Sequence, residues 1–145
     1  MTETIRIKYH SDHAPRLCYV DGRSDWIDLH AAEDVVLKKG DFRLIDLGVS
    51  VQLPPGYEML LAPRSSAFRR YGILQTNGIG VIDESYCADD DHLMMPVYAT
   101  RDAEIAAGDR ICQFRIFRHQ PALEFEEVET LGNPARGGFG STGRK

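Results

Sequence analysis

The sequence predicts an all-β domain of the sandwich or jelly-roll kind, carrying one short helix. Three observations support that expectation. Short runs of alternating apolar and polar residues recur along most of the 145 residues. Tight-turn signals separate them, most plainly Lys39-Gly40-Asp41 and Pro54-Pro55-Gly56. Only one run, 67–71, joins good helix formers to a stop, Gly72. The length suits one hydrophobic core and not two.

In chain order, Ile5, Ile7 and Tyr9 alternate with Arg6 and Lys8, the pattern of a half-buried strand at a sheet edge, and residues 10–22 form a polar loop. Asp28 sits inside the apolar run that starts at Trp26, so it is either paired at an interface or structural. Val35 to Leu37, then Phe42, Leu44 and Leu47, then Val49, Val51 and Leu53 continue the short strands, and Met59 to Leu61 follow the proline turn. Arg64, Ser65 and Ser66 precede the helix. A serine there caps the helix, and the same geometry turns backbone N–H groups outward, where a phosphate beside Arg64 would bind.

Residues 77–86, NGIGVIDESY, are the stretch around which the rest is organised. Gly78 and Gly80 free the backbone for close approach to a ligand, and Val81 and Ile82 anchor a hairpin that presents Asp83 and Tyr86. Asp89, Asp90 and Asp91 read as a solvated loop rather than a cation site. Residues 93–99 form a buried strand whose Pro96 marks an edge or bulge. A turn at Gly108 leads to a strand with Ile111, Cys112, Phe114 and Ile116 in the core and Gln113 on the opposite face. From Pro121 onward, Leu123, Phe125 and Val128 make a last strand ending at 132–134. The tail, 136–145, is by composition a flexible arm on a domain spanning 1–135. It nevertheless holds the parts of a phosphate clamp: Arg136, Phe139, Gly140, Ser141 and Thr142.

A formal net charge of -5 gives no reason to bind nucleic acid through its phosphates, so a polyanionic ligand needs a local basic pocket. No run approaches the roughly 18 apolar residues of a membrane span and the first residues carry no apolar signal core; a cytoplasmic protein with no membrane partner is expected. Cys18, Cys87 and Cys112 are odd in number and unpaired in spacing, so reduced, mostly structural thiols are expected in place of disulfides or zinc. The five histidines are scattered, which argues against a transition-metal cluster.

Five of these segments, in this order, resemble the motifs of the trimeric all-β dUTP pyrophosphatase (dUTPase) family. They are 26–32 (WIDLHAA), 63–66 (PRSS), 80–86 (GVIDESY), 108–113 (GDRICQ) and 136–143 (RGGFGSTG). The first has Trp26-Ile27 where the family usually has Gly-Tyr, and Cys87-Ala88 replace a common basic residue and glycine after the third. The resemblance implies a distorted jelly roll, the β-clip, assembled as a homotrimer with shared sites. It implies hydrolysis of dUTP to dUMP and pyrophosphate, which limits uracil incorporation into DNA and supplies dUMP for thymidylate synthesis. It makes Asp83 the general base for a water attacking the α-phosphorus. Tyr86 would lie against the deoxyribose and leave no room for a 2′-hydroxyl. The backbone of 77–82, including Gly80 and Ile82, with the Asn77 amide, would bond the uracil edge. Arg64, Ser65, Ser66 and Gln113 would hold the triphosphate. Arg136, Phe139, Gly140, Ser141 and Thr142 would close over the nucleotide from another subunit. Mg²⁺ would arrive chiefly on the phosphates, with Asp28 an outer-sphere or interface contributor.

Two rivals share the resemblance. One is a dCTP deaminase or bifunctional relative, which also follows Arg-Ser-Ser with a short helix; the fifth motif and residues 83–86 favour the pyrophosphatase. The other is a trimeric regulatory module that holds a protein partner.

Overall fold

A computed structural model describes residues 2–20, 22–141 and 143. Eleven strands and one helix follow in order: β1 (Arg6–Tyr9), β2 (Ile27–His30), β3 (Val35–Leu37), β4 (Phe42–Asp46), β5 (Val49–Gln52), β6 (Tyr57–Pro63), α1 (Ala67–Tyr71), β7 (Ile73–Gln75), β8 (Gly80–Ile82), β9 (Met94–Ala99), β10 (Ala103–Ile105) and β11 (Arg110–Arg118). The expected all-β architecture with one short helix is what the chain adopts. All pairings are antiparallel, in sheets ordered β2-β11-β6-β8, β4-β9-β7, β1-β5 and β10-β3. No helix among the described residues is long and apolar enough to cross a membrane.

Each sheet lends its inner face to one buried cluster. Leu29, Met59, Leu61 and Ile111 come from the four-stranded sheet, Ile45, Ile73, Met95 and Val97 from the three-stranded one, and Val49, Leu37 and Ile105 from the two small ones. Burying each such side chain contributes about 1.5–3 kcal/mol. The helix is closed as expected by Gly72, whose φ of 67° is the left-handed region and whose N–H bonds the Phe68 carbonyl. Of the cysteines, only Cys112 fits the structural expectation; Cys18 and Cys87 are exposed.

Three expectations need correction. Residues 77–86 do not form a hairpin of their own, because β8 within them pairs with β6 while the preceding β7 pairs with β9. A turn from Gln75 to Gly78 sends the chain from one sheet to the other. The buried Gln75 amide holds that turn by donating to the carbonyls of Leu61 (3.1 Å) and Gly78 (3.3 Å). Pro96 lies in the central strand of its sheet, opposite Leu44. It is tolerated because its carbonyl accepts from Thr76, one residue past the end of β7, so the missing N–H faces a side where pairing is running out. Finally, residues 121–134 form no strand. Everything from 118 to 141 is exposed, and Phe125 is 92% exposed, because the apolar side chains there find nothing to pair with among the described residues.

Candidate active site

Three strands, β2, β6 and β11, and the start of α1 bring three of the five motif segments to one end of the four-stranded sheet. Asp28 on β2 lies opposite Gln113 on β11, and Gln113 in turn lies opposite Ala62 on β6. The Gln113 amide donates to the Pro63 carbonyl at 3.1 Å. Asp28 is 8% exposed, and its two carboxylate oxygens face separate guanidinium groups: Arg64 Nε at 3.1 Å and Arg110 Nη1 at 3.4 Å. A buried carboxylate demands such partners. Sequence reasoning had left its partner open and did not single out Arg110, although that residue stands in the fourth motif.

The helix is lashed to the same end. Tyr71 donates its hydroxyl to Asp109 at 2.8 Å, and the Arg64 N–H bonds the Ile111 carbonyl. Ser66 occupies the N-cap position with φ near -88° but makes no side-chain capping bond, so the cap does not engage its hydroxyl; Ser65 is exposed beside it. Two arginines, two serines and one glutamine amide thus cluster where an anion would meet positive charge and donors.

Asp83 stands elsewhere. It follows Ile82, which pairs with Met59 on β6, whereas Arg64 comes just beyond the other end of that strand. Five to six residues of strand separate the two levels, roughly 15–20 Å. The Asp83 carboxylate is exposed, and its Oδ1 accepts both the N–H and the hydroxyl of Ser85, each at 2.8 Å. Those two bonds, the N–H first, hold its carboxyl below the ordinary aspartate range, with a smaller contribution from His119. His119 also lies 3.5 Å from Glu84 and bonds the Tyr57 carbonyl. Ser85 and His119 had no individual role in the sequence reading; the first could have been found as an Asp-x-Ser turn.

Tyr86 follows in the same turn, its N–H bonded to the Asp83 carbonyl. Asn77 is exposed at the other end of the segment, with Gly78 open around it. Gly80 is a glycine for an internal reason as well, since a Cβ there would come within 3.0 Å of the Leu61 side chain. Ile82 packs against the core cluster. In the tail, Ser141 Oγ accepts from Gly138 at 2.6 Å in a short turn, Arg136 and Gly140 are exposed, and Phe139 is fully so. Thr142 lies outside the described residues. Burial pushes the Cys112 thiol up to about 12, which makes it an inert part of the core.

A model of the family described as dUTPase matches residues 8–143, nearly the whole chain. The chain belongs to the dUTPase family. It is 52% identical over 141 residues to the SPbeta prophage-derived deoxyuridine 5′-triphosphate nucleotidohydrolase YosS of Bacillus subtilis, covering 97% of this chain and 99% of that one. It is 37% identical over 143 residues to the deoxyuridine 5′-triphosphate nucleotidohydrolase of Solibacter usitatus, covering 97% and 96%. Among solved structures it is similar to a variant dUTPase of Staphylococcus bacteriophage 80alpha with dUpNHpp, at a TM-score of 0.81 and 23% identity over 99% of this chain and 100% of that one. A variant dUTPase of phage phi11 of S. aureus, described with a structural Mg(II) ion, superposes at 0.75 with 20% identity over 88% and 98%. These two likenesses establish the dUTPase fold; the family rests on the sequence matches.

Proposed function

We propose that this dUTPase-family chain hydrolyses dUTP to dUMP and pyrophosphate in a site that no single copy completes. The supporting observation is the strand-length gap between Asp83 and the Arg64–Gln113 cluster. A base that deprotonates a water on the α-phosphorus must lie within a few ångström of the groups that grip the phosphates. In one chain the two stand at opposite ends of β6, and the Asn77 end of the base-reading loop lies on the phosphate side of that strand. The order base, sugar, α-phosphate, triphosphate grip is therefore met only by Asn77, Tyr86 and Asp83 of one copy facing Arg64, Ser65, Ser66 and Gln113 of another. The tail, in which Arg136, Phe139, Gly140 and Ser141 are exposed, supplies a third copy's lid together with Thr142, which lies outside the described residues. An apolar row on the outer face of the three-stranded sheet, Phe42, Tyr98 and Leu74 in register, supports assembly as a homotrimer.

Asp83 works here as general base, kept ionised by Ser85, with one oxygen occupied and Oδ2 turned to the water. Arg64 holds the phosphates, itself oriented by Asp28; Ser65, Ser66 and Gln113 add neutral donors. Uracil is read by the backbone at Gly80 and Ile82 and by the Asn77 amide. No group of three or more metal-binding side chains occurs among the described residues, and the Asp28 oxygens are occupied by arginines. Mg²⁺ fits this chain as an ion delivered on the substrate's phosphates, where it neutralises their charge, and Asp28 is left no closer than its outer sphere.

Pyrophosphate release measured in parallel with dUTP, dCTP, dTTP and UTP tests the substrate; release confined to dUTP is expected, and ammonia from dCTP would favour the deaminase reading. The shared site has its own test. Co-expressed Asp83→Asn and Arg64→Ala chains, each inactive alone, are expected to regain about a quarter of wild-type sites in randomly mixed trimers. Mixed assemblies of confirmed mass without recovered activity would rule out the two-copy arrangement.

The hold of Ser85 on Asp83 gives a pH prediction. A carboxylate with a depressed pKa stays competent below the ordinary aspartate range and loses activity only as pH falls through its own lowered value. Ser85→Ala removes the hydroxyl bond and leaves the N–H bond, so the acid limb of kcat is expected to move to higher pH. An unmoved limb in the variant would show that the hydroxyl does not tune the base.

A further inference from the structure

The loop that follows Tyr86 is held by a cluster that the chemistry above does not use. His92 binds the Asp46 carboxylate through Nδ1, at 3.0 and 3.1 Å to the two oxygens, and its ring stacks on His10 with centroids 3.6 Å apart and planes within 13°. His10 Nε2 lies 2.7 Å from the Ser50 hydroxyl, and that hydroxyl lies 3.0 Å from the Asp89 carbonyl. Ser50 has one proton, and it goes to the carbonyl, so His10 is the donor in its bond to Ser50. Asp46 on β4, Ser50 on β5 and His10, one residue past β1, thereby clamp the 86–93 loop. Leu93 adds two backbone bonds, from its N–H to Val49 and from Leu47 to its carbonyl.

The Tyr86 hydroxyl reaches into that loop and donates to the His92 carbonyl at 2.7 Å. Burial, with the Asp91 and Asp46 carboxylates, pushes the phenol above its usual range, so it remains a donor. The ring has two hinges, χ1 and χ2, and a polar tip tied to a braced backbone. An aromatic ring excludes a 2′-hydroxyl only if it cannot yield, because one added hydroxyl is rejected weakly by a surface that moves aside.

We infer that Asp46, His92, His10 and Ser50 form the brace that fixes Tyr86 against the sugar and thereby sets how strongly a ribonucleotide is refused. The inference rests on the assignment of Tyr86 to the deoxyribose. His92 acts as a positioning residue, through the Tyr86 hydroxyl bonded to its carbonyl, and the loop it stiffens is where this chain has Cys87-Ala88 in place of the family's basic residue and glycine.

The test is the ratio of kcat/KM for dUTP to that for UTP. His92→Ala is expected to lower this preference roughly 3- to 10-fold, the scale of one hydrogen bond's loss of hold, while kcat with dUTP stays within about twofold. Tyr86→Phe, which keeps the ring but frees its tip, is expected to lower the preference by a similar factor. The double variant is expected to lose no more than either alone, since both remove one constraint. Asp46→Asn serves as a milder second break in the brace, with thermal unfolding used to confirm a native fold. If Tyr86→Ala abolishes the preference and folded His92→Ala leaves it intact, the brace is merely structural and the inference fails. If Tyr86→Ala itself leaves the preference intact, Tyr86 does not read the sugar, and both readings fall.

Discussion

Asp83→Asn is expected to keep nucleotide affinity while turnover falls by roughly 10²-fold or more, the scale of lost general-base catalysis. The substitution nearly conserves shape. Its amide oxygen can still accept from the Ser85 N–H and hydroxyl, which now meet Oδ1 at 2.8 Å, so the turn that carries Tyr86 should survive. What disappears is the charge on Oδ2 and with it the ability to take a proton from water. Equilibrium titration with a non-hydrolysable dUTP analogue should therefore give a dissociation constant close to wild type, against a kcat that has collapsed. Near-normal turnover would remove Asp83 from the role of base.

Deleting residues 136–145 is expected to leave a folded trimer with little activity, a loss of roughly 10²-fold or more if closure positions the triphosphate. The fold should not notice the cut. Residues 118–141 are exposed, and among the described residues strand pairing ends at Arg118, with His119 the last residue tied back to β6, so thermal unfolding of the truncated protein is expected to match that of the full chain. Activity is another matter, because Arg136, Phe139 and Ser141 are the side chains that could cover a nucleotide without costing the core anything. Normal hydrolysis of dUTP by the shortened chain would end the lid assignment.

The two expectations together show where the sequence was legible. Alternation and turn chemistry report on local backbone, so the strands from β1 to β6, the helix and its Gly72 stop could be read directly. The route from Gln75 to Gly80 could not, because which sheet a strand joins depends on a distant partner, here Leu61, that periodicity does not name. Leu123, Phe125 and Val128 alternate as a strand should, yet a strand needs a neighbour, and among the described residues they have none. Asp28 showed itself as an acid in an apolar run. Its choice of Arg64 and Arg110 came only with the register of β2 on β11. Ser85 and His92 were hidden for a plainer reason: a small hydroxyl two residues from an acid, and a histidine after three aspartates, are ordinary until coordinates bring them to Asp83 and Tyr86.

The placement of Asp28 bears on how the cycle ends. Arg64 and Arg110 share that one carboxylate, so the corner proposed above to grip the triphosphate carries a net single positive charge instead of two. An unaccompanied arginine pair would hold a departing pyrophosphate as stubbornly as it welcomed the nucleotide. With an internal counter-charge already in place, a corner in the proposed role would trade some grip for ease of product escape, leaving a vacated berth for the next substrate.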